Sequence, residues 1–355
     1  MMKKIIAPFL IICFIFSVAD SYGQLSRKRI RQNNKRIRNF RGQKNNFSGD
    51  KKYNFLAFTV NAFNYFGDLS PLNNAASTDI SFTRPGIGVM FGHRFGPRYT
   101  LRGSFTYGAI KGDDFESADP NDTEARYRYV RNLQFRNRIK ELSVTAAFDL
   151  FKNEGSYISR LQFTPYIFLG LAVFHHNPQA YVNEDSALPE AGSWVDLEPL
   201  GTEGQYSDLP ADAVNAGIES YNLIQFAIPV GIGFRYRLNQ VFDLSIELGM
   251  RYTFTDYLDD VSANYVDSGL LPNELARELA DRSQELTSAE SGTARDFDVI
   301  GAITSDRNND GFFDGYGSEF TDNFRGNKDD NDLYFVTSIK LAYIIGATFR
   351  RAKFR

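Results

Sequence analysis

The nine residues DRNNDGFFD, from Asp306 to Asp314, place oxygen-bearing side chains at alternate positions. Asp306, Asn308 and Asp310 are spaced by two, and Gly311 permits a tight turn after them. The carbonyl of Phe312 and the carboxylate of Asp314 complete a ring of hard oxygen donors. That chemistry suits a structural Ca²⁺ ion. An EF-hand would close with Glu, where this chain has Gly317, so an EF-hand itself is disfavoured. The competing reading is a polar surface loop with chance spacing.

A second stretch carries charge without any acid among it. It comprises Arg27, Lys28, Arg29, Arg31, Lys35, Arg36, Arg38, Arg41 and Lys44. Such a run is either a solvated tail or an arm that docks on an acidic protein partner or on anionic lipid heads. The chain has only three histidines, His93, His175 and His176. His93 falls on an apolar strand face, and the other two fall where a strand ends, so a rim position is expected for that pair. No nucleophile elbow, HExxH or phosphate loop occurs, and no catalytic residue is assigned. The expectation is a protein that is not an enzyme.

These segments need elements to position them. Lys3 and Lys4 precede an apolar run from Ile5 to Val18, and Ser21-Tyr22-Gly23 offers small residues for cleavage before Gln24. Residues 1–23 therefore read as a signal peptide and 24–52 as a basic, exported segment. Cys13 follows Ile12, where a lipid-anchor signal would have a small residue. It is the only cysteine, so the mature chain has no disulfide or thiolate site. Without the leader the chain holds 38 basic and 42 acidic residues, a net charge of −4, which argues against nucleic acid as a partner. With 32 Phe and 19 Tyr it is rich in aromatics, yet no later apolar run reaches the ~20 residues of a spanning helix. Such a chain can still cross a membrane as a closed barrel, where every backbone donor finds a neighbouring strand.

Strand-like alternation supports that architecture. From Phe242, every second residue is apolar: Leu244, Ile246, Leu248, Met250, Tyr252, Phe254. Between them lie Asp243, Ser245, Glu247, Gly249, Arg251, Thr253. The same two-faced pattern predicts strands at Tyr53–Phe66, Gly86–Phe95, Tyr99–Ala109, Lys140–Phe151, Gln225–Arg237 and Asp332–Ile345. Phe163–Phe174 is apolar on both faces and is the least distinct of the eight. The polar faces carry both signs of charge and the small residues Gly88, Gly92, Gly231, Gly233 and Gly249. The apolar faces carry almost none over a membrane-crossing length of ~9–11 residues. Apolar-outward is the arrangement this implies.

Joins at 96–98 and 238–240 are tight and the join at 152–162 is moderate. They alternate with long excursions at 67–83, 111–138, 175–222 and 258–331. Short turns at one end and long loops at the other are the habit of outer-membrane barrels. The expected fold is all-β: an eight-stranded antiparallel transmembrane barrel over residues 53–347, with a short basic tail at 348–355. Both ends of the barrel fall on the short-turn, periplasmic side. The long loops face outward, and Pro272–Leu286 forms a short helix in the last of them. Eight strands enclose a lumen that side chains fill, so a plugged barrel is expected.

Five short segments resemble the PorG-like outer-membrane proteins of the Bacteroidetes. They are Asn64-Tyr65-Phe66-Gly67-Asp68-Leu69, Arg131-Asn132-Leu133, Phe254 to Ser262 (FTDYLDDVS), Arg325-Gly326-Asn327 and Asp332-Leu333-Tyr334-Phe335. The resemblance implies a non-enzymatic part in the type IX protein secretion machinery, as a barrel beside a periplasmic ring of proteins. It carries over no catalytic residue. The basic Arg27–Lys44 arm would then face the ring, with outer-membrane lipid around the barrel. The alternative from the residues alone is a small porin or ligand-binding barrel.

Overall fold

A computed structural model describes residues 51–69, 82–121, 126–303, 324–328 and 330–345. Eight long strands are β1 (Tyr53–Phe66), β2 (Arg84–Arg94), β3 (Tyr99–Asp113), β4 (Gln134–Asp149), β5 (Phe163–His175), β8 (Ile224–Arg237), β9 (Phe242–Thr253) and β10 (Leu333–Ile345). Each pairs antiparallel with its neighbour in the order β1-β2-β3-β4-β5-β8-β9-β10. β10 then pairs with β1 from Asn54↔Ile345 to Phe66↔Leu333, which closes the cylinder and leaves it no free edge. Two short strands, β6 (Pro178–Tyr181) and β7 (Trp194–Asp196), form a hairpin in the third long loop, where β6 extends the ladder of β4.

The apolar faces point out. Leu56, Phe58, Val60, Leu142, Val144, Leu169, Ile232, Ile246, Leu248 and Ile339 are each about half exposed. The alternate residues are buried: Arg94, Arg102, Glu141, Asp149, Asp243, Glu247 and Lys340. A belt of this kind matches hydrocarbon, since backbone groups are paired around the ring and only side chains meet lipid. Among the described residues no helix is long and apolar enough to cross a membrane.

Tight turns join β2 to β3, with Phe95 N–H donating to Tyr99 O at 3.2 Å, and β8 to β9, with Leu238 N–H donating to Phe242 O at 3.0 Å. Tyr53 and Ile345 lie at this same end. The helix expected over Pro272–Leu286 is shorter, Glu274–Ala280. Asn273 caps it through Ala276 N–H at 2.8 Å, which moves the start past Pro272. It ends where the backbone turns extended at Asp281 (φ −129°, ψ 112°).

Candidate functional site

The lumen divides into two halves. From the short turns up to the apolar plug, inward residues of facing strands pair by charge. Arg102 on β3 reaches Glu247 on β9 at 2.5 Å, and Glu247 also pairs with Lys340 of β10. Arg251 meets Glu141 at 3.0 Å, and Tyr334 donates to Glu141 at 2.9 Å. Asp149 receives Arg94 at 2.6 Å and Arg235 at 3.3 Å. β3 and β9 are diametrically opposed in the ring, as are β4 and β10. The Arg102–Glu247 and Tyr334–Glu141 hydrogen bonds cross the lumen on a diameter. Among the described residues, two small cavities in this region, about 20 Å³ each, have room for about one water.

Large side chains of β5 take the rest of the space. Tyr166 and Phe168 are buried inside, and Tyr166 donates to Glu247 at 2.6 Å. The Arg102 guanidinium lies 4.9 Å from the Phe168 ring centre. Gly233 makes this possible: a Cβ there would stand 2.4 Å from the Tyr166 ring. At the short-turn mouth, Arg160 folds in to Asp243 at 2.6 Å and donates to the carbonyls of Gln240 (2.6 Å) and Asn239 (3.1 Å).

Toward the long loops the lumen becomes apolar. Phe63, Tyr65, Ile110, Phe135, Ile139, Phe174 and Tyr334 pack with Leu133 and Leu258 of the loops. Tyr65 meets Phe135 edge-on at 4.9 Å.

Above this plug, the four long loops are tied by buried ions. Arg131 pairs with Asp114 at 2.7 Å and donates to Asp68 O at 2.8 Å and Arg325 O at 2.7 Å, so it joins three loops. Arg325 pairs with Glu203 at 3.0 Å and Asp260 at 3.6 Å, and brings in the remaining loop. Glu203 accepts from the backbone of Ser262 at 2.9 Å, and Asp260 accepts from Tyr221 at 2.6 Å. Buried charges are tolerated when paired and hydrogen-bonded in this way.

Acids outnumber cations at the centre of the lock. The Tyr65 hydroxyl lies 2.6 Å from both Asp259 Oδ2 and Asp332 Oδ1. A phenol has one hydrogen, so the second short contact requires a proton on one carboxyl. Burial, then the carboxylates of Asp68 for Asp259 and of Asp259 and Asp256 for Asp332, hold both acids well above the ordinary range. Burial also pushes Asp256 up to about 9, against a relieving hydrogen bond from Ser262. Gly67 is required beside them, since a Cβ would fall 1.8 Å from Asp332 Oδ1.

All five segments that carry the sequence resemblance meet at this lock. Tyr65, Asp68, Arg131, Asp259, Asp260, Arg325 and Asp332 are its working parts. Sequence reading did not find Asp114, Glu203 or Arg160, which sit in loops and a turn with no periodic signal. The proposed Ca²⁺ ligands Asp306, Asn308, Asp310, Phe312 and Asp314 lie outside the described residues. So do the basic residues Arg27, Lys28, Arg29, Arg31, Lys35, Arg36, Arg38, Arg41 and Lys44. Among the described residues, no group of three or more His, Cys, Asp or Glu is arranged to hold a metal ion. His176 is fully buried at the rim, 3.2 Å from Asn222 O, and burial pushes it down to about 4. His93 Nδ1 lies 2.6 Å from Asn54 Oδ1 near the short turns.

A closed barrel with an apolar exterior and a filled lumen defines the class, an outer-membrane-type β-barrel. A family model described as a domain of unknown function (DUF6089) matches residues 38–194, which include the first five barrel strands. No curated protein matches the chain. Among solved structures, the N-terminal β-barrel domain of Pseudomonas aeruginosa OprF is 9% identical, with 83% of this chain and 99% of that one covered, at a TM-score of 0.30. The outer membrane protein OprG of the same organism is 9% identical, covering 85% and 100%, at 0.32. A major outer membrane protein of Thermus thermophilus is 11% identical, covering 82% and 99%, at 0.32. What makes this chain a barrel is its own closed strand ladder.

Proposed function

We propose that the protein is a non-conducting, non-enzymatic scaffold of the outer membrane that serves type IX protein secretion. In this reading residues 1–23 are removed on export, both termini and the short turns face the periplasm, and the long loops face outward. The arm Arg27–Lys44 docks on a periplasmic ring complex, and residues 306–314 hold a structural Ca²⁺. The observation that carries scaffold over channel is the pair of diametric contacts, Arg102–Glu247 and Tyr334–Glu141, which span the lumen. A porin needs that space free. The secretion role draws on the five motif segments and on their convergence at one lock.

Co-purification from native membranes tests the role. The full chain is expected to retain periplasmic ring proteins, and a chain lacking 27–44 is expected to lose them while still forming the barrel. Equal recovery from both would remove the docking arm. The absence of ring proteins from both would remove the secretion role.

A further inference from the structure

The outward face of β4 differs from the others. From Leu142 to Leu150 it is apolar, with Leu142, Val144 and Leu150 exposed. Those nine residues match the ~9–11 of a membrane-crossing strand. The next outward positions toward the long loops are Lys140, Arg138 and Arg136. Successive outward residues of a strand stand about 7 Å apart, so the three cations form a row rising from the edge of the belt.

The outward faces of β1, β2, β5, β8, β9 and β10 carry no Asp, Glu, Lys or Arg. β3 carries Lys111 and Asp113 at its loop end, and both are engaged there. Lys111 is paired with Glu290 at 2.8 Å and Glu116 at 3.3 Å, and Asp113 accepts from Glu116 N–H at 3.1 Å. Lys140 and Arg138 are exposed and have no ion-pair partner among the described residues. Arg136 is held in place. It donates to Gln179 at 3.0 Å and its guanidinium lies 3.9 Å from the Trp194 ring centre.

The register sets the height of this row. Lys140 pairs with Tyr107 on β3 and with His175 on β5, both outward. Aromatic and amphipathic side chains at that position mark the boundary between hydrocarbon and headgroups. A lysine there extends its stem along the belt and holds its ammonium in the headgroup layer.

We infer that Lys140, Arg138 and Arg136 form a binding site for the phosphate of an anionic lipid headgroup, built on one side of the barrel at the long-loop edge of the belt. This rests on the barrel spanning a membrane with its apolar face outward. Lys140 supplies a point charge next to the acyl boundary, and Arg138 supplies a planar fork suited to phosphate oxygens. Arg136, stacked on Trp194, is the rigid upper end. The other seven strands offer a headgroup no comparable row, so bound lipid is oriented toward β4.

Trp194 is the only tryptophan of the chain and reports directly on Arg136. The full chain, folded in neutral detergent, is titrated with short-chain phosphatidylglycerol, short-chain phosphatidylcholine or inorganic phosphate while its emission is followed. Phosphatidylglycerol is expected to give a saturable change that weakens with salt, and phosphatidylcholine and inorganic phosphate none in the same range. The Arg138→Gln/Lys140→Gln variant is expected to bind about thirtyfold more weakly, with the heat-modifiable gel mobility of a folded barrel unchanged. Equal response to both lipids, or an unaltered affinity in the variant, would overturn the site. Saturation by inorganic phosphate alone would make it a free-anion site and overturn the lipid assignment. Failure of the wild-type chain to enter vesicles would instead strike the membrane reading beneath it.

Discussion

The two halves of the interior hold the same kinds of residue in different proportions. From the short turns up to the apolar plug, Asp149, Glu141, Glu247 and Asp243 each meet at least one cation. At the loop end, two arginines pair with Asp114, Glu203 and Asp260, while Asp68, Asp259 and Asp332 lie around Tyr65 and Asp256 lies beside Asp332. A charge-matched interior is a permanent filling. An interior with surplus buried acid depends on its protons. The barrel is thus fixed below and proton-dependent above.

The largest expected effect is at the loop lock. Arg325→Ala leaves Glu203 and Asp260 buried without their cation, a loss of about 3–5 kcal/mol. Limited proteolysis should then cut the long loops quickly, while the heat-modifiable mobility of the barrel persists. If loops and barrel fail together, the two halves are one cooperative unit and the contrast is wrong. In the other half, Glu247→Gln sets Arg102 and Lys340 together without an anion, yet keeps a hydrogen-bonding side chain. A destabilisation of about 1–3 kcal/mol is expected in urea unfolding from lipid, with loop proteolysis unchanged. Gly233→Val pushes against the Tyr166 ring and should cost about 1–3 kcal/mol by overpacking in the same assay.

The smallest effect sharpens the comparison most. Asp259, Asp332 and Asp256 titrate above their ordinary range when folded. Folding therefore favours their protonated forms. That contribution is complete below the ordinary carboxylate range and is lost as pH rises through the raised values, about 9 for Asp256. Protection factors of the loop amides, with the base-catalysed intrinsic rate divided out, should fall between neutral pH and about 9, while those of the strand ladder in the lower half hold. Asp259→Asn should blunt that change. Its amide can donate to Tyr65, whose hydrogen then goes to Asp332, and its oxygen can still accept from Val261 N–H, 3.0 Å away in the parent. An unchanged alkaline profile would show that these acids do not govern the loop end.

The same contrast explains what the sequence revealed. Where a strand stands between lipid and a polar lumen, alternation is plain, as along Phe242–Thr253 and Ile224–Arg237. Above the belt the code inverts. β3 runs on to Asp113 with Ile110 inside and Lys111 outside, and β4 begins at Gln134 with Phe135 and Ile139 inside and Arg136 and Arg138 outside. A rule of apolar-outward therefore stops at Ala109 and starts at Lys140. β5 is faint for another reason: its inward Tyr166 and Phe168 occupy room left by glycines on β8 and β9, so both faces are greasy. The lock was legible only as motif fragments. Arg131 with Asp68, and Arg325 with Glu203, are brought together by the closed ladder and by no local pattern.

Single-channel recording on the purified, full-length chain in a planar bilayer addresses the central claim, a lumen spanned by its own side chains. The expected record is a quiet baseline after insertion has been verified by protection of the barrel from protease. A steady, sizeable conductance from the same inserted protein would mean that the contacts of Glu247 with Arg102 and of Glu141 with Tyr334 do not close the path, and the scaffold reading would fall with them.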